Sequence, residues 1–153
     1  MNRPETTQAL SAFLERHIKA RDTRVYWAKE VTFDYVTAHP IRVDYMRFKP
    51  RNTYTTEGIE NGDFYCYEVK SSVEDFHSPN GHNFIGDFNY YVMPQEVMEK
   101  VRDEIPPHIG VYIPSSDRWR SLESAKKAKR VERKRPTVEM LLMMFRSAAR
   151  DRR

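Results

Sequence analysis

The sequence predicts an α/β fold with a mixed central β-sheet flanked by helices, and three observations lead there. Two strand-like segments, Ile41 to Phe48 and Phe64 to Ser72, are separated by a polar stretch containing Pro50, Gly58 and Gly62. That is the pattern of an antiparallel hairpin with a long loop. Between Phe88 and Ile113 the chain reads strand, helix, strand, the order of a parallel β-α-β unit. Helical periodicity precedes the first strand and returns near the C-terminus.

The first helix is expected from about Thr7 to Ala20, where Leu10, Phe13, Leu14, His17 and Ile18 recur at helical spacing. Thr6 or Thr7 is placed to cap its start. Glu15 is the only acid well inside it, and His17 reads as a half-buried packing residue. Arg24 to Tyr35 reads as a strand, with Val25, Trp27, Val31, Phe33 and Tyr35 on one face. Tyr26, Ala28, Glu30, Thr32 and Asp34 take the other face, Asp34 as a turn residue near the strand end. His39-Pro40 then turns the chain into the next strand.

If that strand and the one after Gly62-Asp63 pair with Asp44 opposite Glu68, then Ile41 faces Ser71 and Phe48 faces Phe64. The connection Lys49 to Asp63 is left as a loop with its tip near Thr55 to Gly58. Side chains alternate along a strand, so Asp44, Glu68 and Lys70 share one face in this register. Two facing carboxylates repel unless a proton or a cation sits between them. Their oxygens are hard donors suited to hydrated magnesium. Read alone, Glu68-Val69-Lys70 equally describes a solvated ion pair on an amphipathic strand.

From Ser71 to Asp87 the chain is loop-rich, with Pro79, Gly81 and Gly86 as breakers. His77 and His82 have no matching Cys or His elsewhere, so no zinc site is predicted. Pro94 fits the first turn of a helix running to about Glu104, with Val97, Met98 and Val101 inward. Ile109 to Ile113 is a short buried strand closed by Pro114. In Ser121 to Val131 the residues Leu122, Ala125 and Ala128 fit a helix. A final helix follows Pro136, with Thr137 as N-cap and Val138, Leu141, Leu142 and Phe145 on one face. Met140, Met143 and Met144 make it apolar nearly all round, so it needs burial on two sides: against the core and at a dimer seam.

A length of 153 residues suits one core. The longest apolar run, Met140 to Phe145, is far too short to span a bilayer, so no membrane partner is expected. The N-terminus lacks the apolar stretch of a signal peptide, and Cys66, the single cysteine, reads as a small buried residue. A reducing cytoplasm is therefore expected. Residues 1–117 hold 13 Lys/Arg and 18 Asp/Glu, a net −5, whereas 118–135 hold 9 and 2, a net +7. Two regions are expected: 1–117 as the core, and 118–153 as a basic segment with a helix packed on the core or at a homodimer interface. The basic block, with Lys126, Lys127, Lys129 and Arg130, reads either as a phosphate-backbone contact or as a solvated tail.

Asp44 followed by Glu68-Val69-Lys70 on the next strand resembles the active-site signature of the PD-(D/E)XK nuclease superfamily. The run Glu68-Val69-Lys70-Ser71-Ser72-Val73-Glu74-Asp75-Phe76, followed by Asn89-Tyr90-Tyr91-Val92-Met93-Pro94, is similar to MmcB-like DNA-repair nucleases and small phage relatives. The similarity covers roughly Leu10 to Pro114, and more weakly the C-terminal tail. Val43 stands where the superfamily's proline precedes the aspartate. The resemblance implies a restriction-endonuclease-like core, with residues 121–131 as a short edge strand. It implies Asp44, Glu68 and the carbonyl of Val69 as ligands of Mg²⁺, with Mn²⁺ able to substitute, and Lys70 as a catalytic cation. Glu15 or Glu30 is an auxiliary acid on this reading, and Ser72, His82 and Asn83 are candidates for phosphate contact.

Three functions follow as expectations. The first is a metal-dependent DNA endonuclease of repair, recombination or phage DNA metabolism, acting on nicked or branched DNA. The second is a DNA-structure-binding module of the same fold with little catalysis. The third is an interaction protein docking a partner through its acidic body and Met-rich helix.

Overall fold

The structure, a computed structural model, describes residues 2–21, 26–115 and 121–151. Six strands form one sheet in chain order. They are β1 (Tyr26–Phe33), β2 (Ile41–Lys49), β3 (Asp63–Val69), β4 (Phe88–Val92), β5 (Gly110–Pro114) and β6 (Leu122–Lys126). Neighbours are antiparallel from β1 to β3, parallel from β3 to β5, and antiparallel at β6. The fold is therefore α/β with a mixed sheet, as the strand-helix-strand order predicts. Segment 122–126 is an edge strand and not a helix: Leu122 is buried, the next three residues are exposed, and its ladder is to β5.

Two long helices cover opposite faces. α1 (Arg3–Arg21) buries Leu10, Leu14 and Ile18 against Tyr45, Tyr67, Val69, Val92 and Tyr112. It starts earlier than the periodicity predicts, because Asn2 and Glu5 close a capping box. The Asn2 carboxamide accepts from Glu5 N–H at 3.0 Å and Glu5 Oε2 from Asn2 N–H at 3.3 Å, so neither Thr6 nor Thr7 is the cap. On the other face α5 (Thr137–Asp151) sends Met140 and Met144 into a cluster with Ala28, Val31, Phe33, Met46, Phe64 and Cys66. The buried stripe is the methionine one, and the predicted Val138, Leu142 and Phe145 face is exposed. Thr137 does not cap α5 with its hydroxyl, which donates to the Glu60 carbonyl. α4 (Gln95–Val101) completes that side over Tyr91, Met93, Val111 and Ile113.

Two five-residue helices lie where loops were expected. α2 (Thr56–Glu60) forms the hairpin tip, with the Thr55 hydroxyl accepting from Gly58 N–H. α3 (Val73–His77) follows β3, capped by Ser72. The expected strand face of β1 is also altered. Glu30 has a φ of +51°, and Ala28 and Val31, an odd number of residues apart, both join the α5-side cluster. Arg24, Val25 and the 117/118 boundary lie outside the described residues.

The basic block is a structural strap. Arg130 lies over Phe88 and makes two bonds of 2.5 and 2.8 Å to Asp63. Arg133 lies over Phe64 and pairs with Asp87 at 3.2 Å. Arg135 lies over Phe33 and pairs with Asp34 and Glu139, each at 2.8 Å. Each arginine thus joins an aromatic face to a carboxylate across long sequence separations.

These pairs differ in burial, and that decides their worth. Asp87 Oδ2 also accepts the Phe64 N–H at 2.8 Å, and both it and Arg133 are largely buried. Asp87→Ala leaves the Phe64 amide unpaired and the Arg133 guanidinium without a carboxylate, with the Arg135 carbonyl and Thr137 hydroxyl still accepting from it, and is expected to cost about 3 kcal/mol in urea denaturation. Asp63→Ala, which loses the mostly exposed Arg130 pair, is expected to cost less than about 1 kcal/mol.

Candidate active site

The hairpin register is the predicted one over Tyr45–Lys49, with Tyr45 opposite Tyr67 and Phe48 opposite Phe64. The ladder stops there, so Ile41 and Ser71 are not paired. Beyond Tyr45 the Val69 N–H is taken by a side chain: Asp44 Oδ2 accepts it at 2.8 Å. Lys70 N–H turns instead to the Val92 carbonyl at 2.9 Å. β2 and β3 part at the level of Asp44 and Glu68. On the far side of β2 the ladder also omits Glu30, the residue that would face Asp44.

Glu68 alternates with Phe64 and Cys66, so its side chain enters the side covered by α4 and α5. It is 0% exposed, and neither carboxyl oxygen has a hydrogen-bond partner. Burial chiefly, and the Asp44 carboxylate next, push its pKa up to about 9. The protonated group can donate to Asp44, which is the one arrangement in which two adjacent carboxyls attract. Asp44 is itself raised by burial, with the Val69 N–H and the nearby Arg42 pulling the other way.

Lys70 lies on the same side and is 3% exposed. Its ammonium donates to the carbonyls of Asn80 at 2.7 Å and Asp75 at 3.3 Å. Gly81 closes over the pair with a φ of +77°. A Cβ there would lie 2.6 Å from Lys70 Nζ and 3.5 Å from Glu68 Oε2. Above them opens a cleft of about 850 Å³ whose lining includes Arg3, Arg42, Asp44, Val69, Lys70 and Asn83. A smaller hollow of about 270 Å³ reaches Asp44 from the α1 side, past Thr7, Ser11, Lys29 and Glu30.

The structure brings Asp44, Glu68, Val69 and Lys70 together and distributes the other candidates around them. Glu15 accepts from the Tyr45 hydroxyl at 2.6 Å, one residue from Asp44. Glu30 lines the smaller hollow, but its carboxylate is about half exposed and 3.8 Å from Arg150. Ser72 is the α3 N-cap, its hydroxyl accepting from Asp75 N–H at 3.0 Å, and so is committed to local structure. His82 is committed too, with Nδ1 on the Tyr91 hydroxyl at 2.6 Å and Nε2 on the Ser78 carbonyl at 2.8 Å. A carbonyl only accepts, so Nε2 carries the proton. Asn83 stays at the cleft, donating to the Arg42 carbonyl at 2.8 Å.

Of the basic candidates, Arg130 is tied to Asp63 at the far end of β3 from Glu68. Lys126 lies on β6 and donates to the Pro106 carbonyl at 2.9 Å. Lys127 and Lys129 are exposed beside it, and none of these four lines the cleft. Arg3, Arg42 and Gly81 were missed by the sequence reading. Only Gly81 carried a signal, as a glycine in the loop following the Glu-x-Lys strand.

The donor set fits a hard divalent cation. It offers two adjacent carboxyls, one of them buried without a partner, and the backbone carbonyl of Val69. Among the described residues no cluster of three or more His, Cys, Asp or Glu forms a metal group. Magnesium commonly takes one or two carboxylates, with water and substrate phosphate completing its shell. Cys66 offers no nucleophile, since burial raises its thiol to about 12.

No family model and no curated protein matches the chain. Among solved structures it is similar to a protein of unknown function from Silicibacter pomeroyi, with a TM-score of 0.65. The identity is 20%, over 96% of this chain and 88% of that one. At that identity the likeness establishes the shared α/β fold alone. No helix among the described residues is long and apolar enough to cross a membrane.

Two outcomes test the site's electrostatics. The folded chain holds the Glu68 proton up to about pH 9, while the unfolded chain releases it near 4.5. Stability of the metal-free protein is therefore full below that lower value. It falls as pH rises through the window, by at most about 1.4 kcal/mol per pH unit. Glu68→Gln, which cannot ionise, should flatten this dependence in urea titrations run at successive pH values. Gly81→Ala adds left-handed strain and crowds the Lys70 ammonium, and is expected to cost about 1–3 kcal/mol in the same assay.

Proposed function

We propose that the chain is a metal-dependent phosphodiester hydrolase acting on DNA. The observation that carries this is the buried Glu68 carboxyl, with no hydrogen-bond partner among the described residues, behind a cleft that Asp44, Lys70 and Arg42 line. A purely structural core would not retain such a group, because an unsatisfied buried carboxyl costs free energy. The resemblance of Asp44 and Glu68-Val69-Lys70 to the PD-(D/E)XK signature supports the same reading. So does the antiparallel hairpin continued by a parallel strand, the arrangement of a restriction-endonuclease-like core.

Asp44, Glu68 and the Val69 carbonyl would hold Mg²⁺ or Mn²⁺. Bound there, the metal would polarise the scissile phosphate and acidify water. The protein's own part is to supply the adjacent carboxyls of Asp44 and Glu68 and to keep Lys70 beside them. Lys70 would offset charge building on the phosphate in the transition state. Its two carbonyl contacts hold the ammonium in place without neutralising it. Arg42 and Arg3 line the mouth of the cleft, where a phosphate backbone would pass. Glu15 acts through Tyr45 and would position the strand that carries Asp44.

The alternative of a DNA-binding module without catalysis relied on the basic block. Arg130, Arg133 and Arg135 are engaged with Asp63, Asp87 and Asp34, and Arg3 with Asp75 at 2.8 Å, which leaves Arg42 as the better placed cation at the cleft. The decisive assay is cleavage of labelled duplex, flap and four-way DNA with Mg²⁺ or Mn²⁺. Wild type is expected to cut at least one of these. Asp44→Ala and Lys70→Ala are expected to lose at least about 100-fold in rate while keeping their circular dichroism spectra. Wild type that binds DNA but cuts none of it would move the binding module ahead.

A further inference from the structure

A different part of the molecule has an unfilled role. α5 is apolar on two opposite sides. Met140, Met144 and Ser147 face the sheet and are buried. Val138, Leu142 and Phe145 face outward and are 75%, 52% and 64% exposed. They recur at four and then three residues, so they form one stripe along the helix. Tyr35 and Val36, in the turn after β1, are exposed as well, and Tyr35 lines a groove with Phe145 and Arg146. Arg146 lies over the Tyr35 ring at 3.8 Å, which joins the turn to the stripe. Five large exposed apolar side chains on one side exceed the scattered ones normal for a monomer's surface.

The neighbouring sheet edge is already closed. β1 is an end strand, and its Lys29 and Glu30 carbonyls accept from Ser147 and Arg150 of α5. Strand-to-strand pairing is blocked at these carbonyls, so the helix stripe is what this side offers a partner. The charges beside the stripe identify the partner. Glu139 and Arg146 are seven residues apart, two turns, and so lie along the same border; Glu139 Oε2 accepts from Arg135 at 2.8 Å, and it is Oε1 that would face a partner. A second copy laid antiparallel about a two-fold axis near Leu142 places Glu139 of each copy against Arg146 of the other. A parallel copy would carry the partner's Glu139 and Arg146 to the opposite border of the seam and leave these charges unpaired.

We propose that α5 is the seam of a symmetric homodimer, packed antiparallel through Val138, Leu142 and Phe145 with reciprocal Glu139–Arg146 pairs. The seam is independent of the nuclease reading, since its test is mass and not cleavage. Sedimentation equilibrium of the whole chain is expected to give twice 18.2 kDa. Leu142→Glu alters an exposed position, so it should halve that mass while leaving the circular dichroism spectrum unchanged. Glu139→Arg alone should weaken the dimer, as should Arg146→Glu, and the double variant Glu139→Arg/Arg146→Glu should recover it. A monomeric wild type at every concentration would overturn the proposal, as would a dimer that survives Leu142→Glu. Failure of the double variant to recover the mass lost in the single ones would overturn the antiparallel arrangement.

Discussion

The parting of two strands at one level shapes the rest of this molecule. β2 and β3 pair from Lys49 back to Tyr45 and then separate, and a side chain, Asp44, replaces the main chain as acceptor for Val69 N–H. The exchange commits one Asp44 oxygen to structure, in a carboxyl that also interacts with Glu68. It also explains why the sheet is irregular across three strands at this level, since Glu30 drops out of the β1–β2 ladder there. The local cost is real: a positive φ at a non-glycine and a carboxyl with no donor. Well-packed clusters on each side and regular ladders beyond the gap carry that cost.

The two faces of the sheet are packed by different means. Under α1 the layer is aromatic: Tyr65 stacks on Phe88 with centroids 5.0 Å apart and Tyr67 on Tyr90 at 5.5 Å. Buried Arg47 lies 4.7 Å over Tyr65, which brings a cation into that layer through a ring face. Under α4 and α5 the layer mixes rings (Phe33, Phe48, Phe64, Phe76 and Tyr91) with aliphatic side chains and methionines, and the flexible Met140 and Met144 follow the irregular β1. Glu68 lies on this second side, while Asp44 is also reached from the α1 side through the smaller hollow.

Elements with strong periodicity or turn chemistry were legible in the sequence. α1, the hairpin register and the β4–α4–β5 succession follow from apolar spacing, Gly62-Asp63 and Pro94. Asp44, Glu68 and Lys70 were placed on one face by the same register. Short elements were not legible. α2 and α3 are five residues each, too short to show a period, although Ser72 three residues before Asp75 is a capping pattern. Which face of α5 is buried could not be read, because Met140 and Met144 are no more apolar than Leu142 and Phe145. Nor could the strap be read, since the partners of Arg130, Arg133 and Arg135 lie 67, 46 and 101 residues away. A charge run shows its solvated or paired character only once the fold supplies the carboxylates.

The strap and α5 also set an order of events during synthesis. β1 is made early, yet its core partners Met140 and Met144 are near the other end of the chain. Ser147 and Lys29, which close its edge, are 118 residues apart. A ribosome delivers the chain from the N-terminus, so β1 and the hairpin wait with one side bare until Met140 and Met144 have emerged. Contacts this remote make for slow closure, and the growing chain must stay unassociated in the meantime. An acidic body, with 18 acids against 13 bases before residue 118, supplies a like-charge repulsion that keeps unfinished chains apart until the basic strap arrives to neutralise it.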